Sequence, residues 1–225
     1  SPFYLRFKEK IQNGELGEII NIQTIENVSY HHITTSFVRG KWGNSDKCKT
    51  SMLLAKCCHD LDIMMWYLGN PTTGSYMGTN VGTDWLLFDG TGTVKMQFEN
   101  GAISYLCTTW GARGTHVGRN LQLHTEGGMF DFDFDTGELR IYDQLLVHRP
   151  GETFNRSYTV LYNEDLEEVK NTPYEFNHFA ECILSGKTPE TDGFNAMQVQ
   201  NAIWKMVDAD KHDEMADLKG IGLKK

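Results

Sequence analysis

The chain has 225 residues, 40% hydrophobic and 23% charged, the balance of a globular protein with a core to bury. A net charge of -9 argues against electrostatic binding to nucleic acid or to an anionic membrane. No apolar run approaches the roughly 20 residues of a membrane span, and Ser1-Pro2-Phe3-Tyr4-Leu5-Arg6 lacks the shape of a signal peptide. Cys48, Cys57, Cys58, Cys107 and Cys182, odd in number and irregularly spaced, fit reduced thiols, so a cytoplasmic protein is expected.

In chain order, Phe3, Phe7 and Ile11 recur at helical spacing and stop at Asn13-Gly14. An Ile- and Thr-rich strand follows from Ile19 to about Ser29, then a long loop from His31 to Thr50. Met52 to Leu68 predicts a helix. Its buried stripe is Leu53, Leu54, Cys57, Leu61, Met64, Met65 and Leu68, and Gly69 with Pro71 ends it.

Strands occupy the middle of the chain. Val94, Met96 and Phe98 alternate before Asn100-Gly101, a type I′ turn signal. That turn predicts the pairs Phe98–Ile103, Met96–Tyr105 and Val94–Cys107. A second hairpin is expected from Phe130, Phe132 and Phe134 across Asp135-Thr136-Gly137 to Leu139 and Ile141. Two helices close the chain. The first is capped at Thr172-Pro173-Tyr174-Glu175, with Phe176, Phe179, Ala180 and Ile183 inward. The second is capped at Thr191 or Asp192, with Ala196, Val199, Ile203, Met206 and Val207 inward. The expected fold class is α+β: a mainly antiparallel open sheet with helices packed on one face.

The helix from Met52 has a mixed second face of Met52, Ala55, His59, Asp62, Ile63 and Trp66. His59 and Asp62 stand three apart, close enough to touch. A carboxylate that fixes an imidazole tautomer makes a general base; the same pair also describes a half-buried histidine satisfied by its neighbour. Cys57-Cys58-His59-Asp60 invites a metal reading, but adjacent helical side chains diverge, so no metal is expected. Tyr30, Arg39 and Trp42 in the loop, and Trp110 with Arg113 at the end of the first hairpin, combine rings and cations suited to a small polyhydroxylated ligand. Composition alone favours a solvated loop anchored by Trp42 and, likewise, a solvated hairpin exit. Gln198 and the stretch from Asp208 to Asp217 read as solvent faces. No glycine-rich dinucleotide loop is present: Gly90-Thr91-Gly92 lacks the third glycine and a following helix.

Several segments, in order, resemble the C-terminal domain of the Gfo/Idh/MocA oxidoreductases (glucose-fructose oxidoreductase, inositol dehydrogenase and relatives). They are Gly14-Glu15-Leu16-Gly17-Glu18-Ile19, then Leu53-Leu54-Ala55-Lys56-Cys57-Cys58-His59-Asp60-Leu61-Asp62, and Trp66-Tyr67-Leu68-Gly69. Phe176-Asn177-His178-Phe179 and Ser185-Gly186-Lys187-Thr188-Pro189 complete the set. The resemblance makes residues 1–225 a substrate-binding and oligomerisation domain, with an N-terminal Rossmann domain lying outside this chain. It implies NAD or NADP for the full-length protein, none for this chain alone, and a homo-oligomer built through the open sheet face. His59 matches the family's catalytic histidine, with Asp62 and Lys56 in support. The implied reaction is hydride transfer between a sugar, cyclitol or related polyol and the nicotinamide. Many members carry an aspartate four residues before the histidine; here that position is Ala55, with Lys56 beside it. The alternative expectation is a non-catalytic ligand-binding or oligomerisation module.

Overall fold

The computed structural model describes residues 2–29, 51–113, 119–134, 136–142, 158–163, 172–189 and 191–224. Two compact units share the chain: Ser1–Ile22 with Asn120–Asp192, and Gln23–Arg119 with Gly193–Lys225. A nine-stranded, mostly antiparallel sheet has the order β8-β7-β6-β5-β1-β4-β3-β2-β9. Its strands are β1 (Ile19–Ser29), β2 (Pro71–Thr79), β3 (Thr91–Phe98), β4 (Ile103–Ala112), β5 (Arg119–Thr125), β6 (Gly128–Asp133), β7 (Glu138–Tyr142), β8 (Thr159–Asn163) and β9 (Ala216–Asp217). This is the α+β fold class the sequence predicts.

In the first unit, helix α1 (Pro2–Gln12) buries Phe7, whose ring meets Phe130 edge-on at 5.1 Å. The helix ends at Gly14, where φ of +70° suits a residue without a Cβ. The predicted hairpin of β6 and β7 is present, with Phe130 opposite Ile141 and Phe132 opposite Leu139, while Phe134, expected in the strand, falls in the turn. Alternation puts Leu121, Leu123, Phe130, Phe132 and Leu139 in the core. On the other face Gln122 donates to Asp131 at 2.9 Å, and Arg140 lies among Glu138, Asp133 and Asp131. Helix α3 (Thr172–Ser185) starts at the predicted cap but departs from the predicted burial. Phe176, Phe179 and Ile183 are 70%, 54% and 66% exposed and Ala180 is exposed, leaving Cys182 buried. The apolar stripe exists on the helix, but a stripe is buried only where another element covers it.

In the second unit, β3 and β4 form the predicted hairpin in a different register. Gly101 takes φ of +86°, its N–H donates to the Phe98 carbonyl, and the Phe98 N–H donates to the Ala102 carbonyl. The turn is therefore longer than a two-residue type I′ loop, and Val94 pairs with Leu106, Met96 with Ser104 and Lys95 with Tyr105. A one-residue shift exchanges the faces of a strand. Ala102, Ser104, Leu106, Thr108 and Trp110 face the core, while Tyr105 and Cys107 are exposed.

Helix α4 (Gly193–Asp210) packs on β2, where Met206 and Leu218 lie directly over Gly74; a Cβ there would come within 2.6 Å of the Met206 sulfur. Its buried face is Asn195, Val199, Ala202, Ile203 and Met206. Val199, Ile203 and Met206 were expected. Ala196, one residue off the stripe, is exposed, and Val207 is half-buried. The chain end returns along this helix, with the Gly222 N–H donating to Gln198 and the Lys224 N–H to Asn195, so Gln198 is engaged rather than free in solvent. Among the described residues, no helix is long and apolar enough to cross a membrane.

Candidate functional site

The predicted helix over Met52–Leu68 is present in two parts: a π turn at Leu53–Cys57, then α-helix α2 (Cys58–Leu68). A π turn widens the backbone ladder and shifts everything after it by part of a turn; such bulges are frequent at functional sites. Leu53, Cys57, Leu61, Met64, Met65 and Leu68 are buried as predicted, while Leu54 is half-buried. On the second face His59 is exposed, Met52 is buried, and Ala55, Asp62, Ile63 and Trp66 are half-buried. The histidine thus stands at the surface of a helix otherwise anchored on several sides. Burial raises the Asp62 carboxyl above its ordinary value.

Beneath this face lies a polar cluster. Glu26 of β1, Cys57 and Asp60 are all buried, with their ligating atoms within 4.8 Å of one another. Lys56 Nζ stands 3.1 Å from Glu26 Oε1, so Lys56 is paired with a buried carboxylate rather than pointing freely into solvent. The Thr108 hydroxyl donates to the Glu26 backbone carbonyl at 2.8 Å and lies 3.5 Å from Cys57 Sγ. Burial, then the charge of Asp60, pushes the Cys57 thiol well above its ordinary value, outweighing the Thr108 contact. The cluster has the donor set of a cation site, yet burial pushes its thiol well above the ordinary value and the Lys56 ammonium already stands at the Glu26 carboxylate. Those features favour a salt-bridged core over a metal centre.

Sequence reasoning missed Glu26 and named Asp60 only within the metal reading it set aside, though both left a signal. Ile22, Thr24 and Glu26 fall on one face of a period-two strand, and Asp60 stands three residues after Cys57 on the buried stripe.

The remaining predicted ligand residues divide. Tyr30, Arg39 and Trp42 lie outside the described residues. Trp110 is only 1% exposed and packs under Trp85, so it is a core residue and cannot meet a substrate. Its inward position follows from the register of β4, which places it on the face of Leu106 and Thr108. Arg113 is exposed and donates to the Gly82 carbonyl at 3.2 Å. Gly90-Thr91-Gly92 leads into β3 with Gly92 packed on Tyr76, so it neither opens a helix nor offers a phosphate cradle.

The family description "GFO/IDH/MocA C-terminal domain" matches residues 4–131. No curated protein matches the sequence. Among solved structures, levoglucosan dehydrogenase in complex with NADH and levoglucosan is similar over 95% of this chain and 62% of its own, at 16% identity and a TM-score of 0.74. An oxidoreductase from Agrobacterium radiobacter in complex with NAD+, L-tartaric acid and magnesium is similar over 96% and 61%, at 13% identity and a TM-score of 0.71. A myo-inositol 2-dehydrogenase from Lactobacillus plantarum is similar over 96% and 61%, at 16% identity and a TM-score of 0.66. At these identities the likeness is one of fold, and the chain spans about three fifths of each of these relatives.

Proposed function

Because the chain belongs to the Gfo/Idh/MocA oxidoreductase family through its C-terminal domain, we propose that it is the substrate-binding domain of an NAD- or NADP-dependent oxidoreductase acting on a sugar, cyclitol or related polyol. Hydride would pass between a carbinol carbon of the substrate and the nicotinamide. A Rossmann domain outside this chain would bind that cofactor, and no nicotinamide binding is expected of residues 1–225 alone. His59 accepts the hydroxyl proton during oxidation and returns it during reduction. Asp62 and Lys56 support it on the same helix. Arg113, with Tyr30, Arg39 and Trp42, contributes polar and aromatic contacts to the substrate.

The observation that carries this reading is the exposed imidazole of His59 on an anchored helix within the family-matched segment. The substrate class draws support from neighbours whose bound or named ligands, levoglucosan, L-tartaric acid and myo-inositol, are all polyhydroxylated. His59→Ala in the full-length protein should lower turnover by at least about a hundredfold while leaving nicotinamide affinity nearly intact. Unchanged turnover would return His59 to a structural role.

Homo-oligomerisation through the sheet is part of the proposal, supported by the exposure of Met77 and Tyr105 on the face of β2–β4 away from the core. Cytoplasmic residence draws support from Cys57, Cys58, Cys107 and Cys182 being free thiols. The second reading, a non-catalytic ligand-binding or oligomerisation module, is favoured by Ala55 at the family's aspartate position. A full-length sequence without a glycine-rich βαβ unit ahead of Ser1 would select it.

A further inference from the structure

The helical segment that carries His59 runs unbroken from Met52 through the π turn to Leu68. The N–H groups of a first helical turn have no acceptor within the helix, so other groups must receive them. Here the Leu54 N–H donates to the Ser51 hydroxyl at 3.1 Å. The Met52 N–H donates, also at 3.1 Å, to the backbone carbonyl of Asp89 in the connection between β2 and β3. Asp89 is itself held from two directions. The Tyr76 hydroxyl of β2 donates to its Oδ2 at 3.1 Å, and the next residue, Gly90, donates to the Thr79 carbonyl and accepts from the Trp110 N–H at 2.7 Å. Burial and then the Asp89 charge raise the carboxyl of Asp210 at the end of α4, so the hydroxyl holds Asp89 against a like charge. The sheet makes room for this contact. Gly78 and Gly92 face each other across β2 and β3. A Cβ at Gly78 would fall on the Tyr76 hydroxyl and the Asp89 carboxylate, and one at Gly92 on the Tyr76 ring, which is 8% exposed. All these residues belong to the second compact unit.

We infer that Tyr76 and Asp89 are positioning residues that set the start of the helix carrying His59. The bond between their side chains fixes the Asp89 carbonyl, and that carbonyl fixes Met52. His59 lies seven residues beyond Met52, about two turns along the same helix, so a displaced first turn carries the imidazole with it. The consequence for turnover rests on His59 being the proton-transfer group; the consequence for the helix start does not.

Amide hydrogen exchange in the 225-residue chain tests the helix start. Tyr76→Phe deletes the hydroxyl and leaves the ring in its slot. Met52 should then exchange about tenfold faster, the scale of one lost hydrogen bond. Gly69, bonded to Met65 at the far end of the helix, and the paired amides of β3 and β4 should keep their rates. Asp89→Asn retains an acceptor for the hydroxyl and should hold the wild-type rate at Met52. Asp89→Ala should match Tyr76→Phe, and the double variant should exceed neither. Unchanged exchange at Met52 in Tyr76→Phe, or equal acceleration at Met52 and Gly69, overturns the inference, as do additive effects in the double variant. If Asp89→Ala does not fold, Tyr76→Phe and Asp89→Asn decide the matter between them. In the full-length protein Tyr76→Phe should lower kcat about tenfold with KM for the nicotinamide unchanged, and should add nothing to the loss in His59→Ala. Wild-type kcat in a Tyr76→Phe protein whose Met52 exchanges fast overturns the positioning role. Turnover that survives His59→Ala sinks the assignment of His59 instead, a failure the exchange rates distinguish from failure of the Tyr76–Asp89 contact.

Discussion

Trp85 lies flat on Trp110, the two rings parallel to within 6° with centroids 6.4 Å apart. Trp110 ends the inward face of β4 and is fully enclosed, whereas Trp85 sits above it in the connection between β2 and β3 and remains half-buried. The two rings should therefore differ sharply in cost. Trp110→Ala should destabilise by about 3–5 kcal/mol, the range for emptying a buried aromatic site. Trp85→Ala should cost about 1 kcal/mol, chiefly the stacking contribution. Urea denaturation of the two variants checks this, and comparable losses would contradict the burial of Trp110.

Two glycines separate backbone strain from steric exclusion. At Gly101 nothing lies within 4 Å of the place an alanine methyl would take, but φ is +86°. Gly101→Ala should therefore cost only about 1 kcal/mol of conformational strain. At Gly92 a Cβ would stand 2.6 Å from Tyr76 Cε2, a ring that also donates its hydroxyl to Asp89. Gly92→Ala should be the more damaging of the two, because the ring cannot move aside without releasing that bond. Thermal unfolding of both variants in parallel gives the order.

These contrasts also show what is legible in the sequence alone. β1 runs from Ile19 to Ser29, and the β6–β7 hairpin forms between the segments that Phe130, Phe132, Leu139 and Ile141 mark, because each alternates with period two on either side of a short loop. The β3–β4 register slipped because Asn100-Gly101 serves turns of more than one length, and one extra residue sends Tyr105 outward and Ser104 inward. That slip also hid the burial of Trp110. At the candidate site His59 was legible from its helix face. The Lys56–Glu26 pair was not, since its partners lie 30 residues apart and the π turn that orients Lys56 has no periodic signature. The apolar stripe of α3 was legible as a pattern; whether anything covers it is a tertiary fact.

The thiols should react in an order set by enclosure. Cys107 is exposed on β4, Cys58 is half-buried with its thiol pushed up by burial, and Cys57 and Cys182 are buried. Because the thiolate is the reacting form, among the four described cysteines iodoacetamide at neutral pH should modify Cys107 first, Cys58 slowly, and Cys57 only on unfolding. Peptide mapping after timed quenching resolves the order. Early modification of Cys57 would mean that the cluster with Glu26 and Asp60 opens in the native state.

Asp62 gives a pH dependence whose sign is fixed. Its carboxyl is raised in the folded protein because burial disfavours the charged form. The folded state therefore holds the Asp62 proton more tightly than the unfolded chain does. The stabilisation from that proton is complete below the unfolded value, near 3.8, and is lost as pH rises through the folded value. At neutral pH the ionised Asp62 thus weighs against folding, and Asp62→Asn, neutral and of the same shape, should be more stable than the wild type. The advantage should shrink as pH falls toward 4 and vanish below it, which melting temperatures across that range would register. A loss of stability at pH 7 in Asp62→Asn would show instead that the carboxylate is sustained by a positive partner. The exposed imidazole of His59, three residues earlier on the same helix, is the group within reach to supply it.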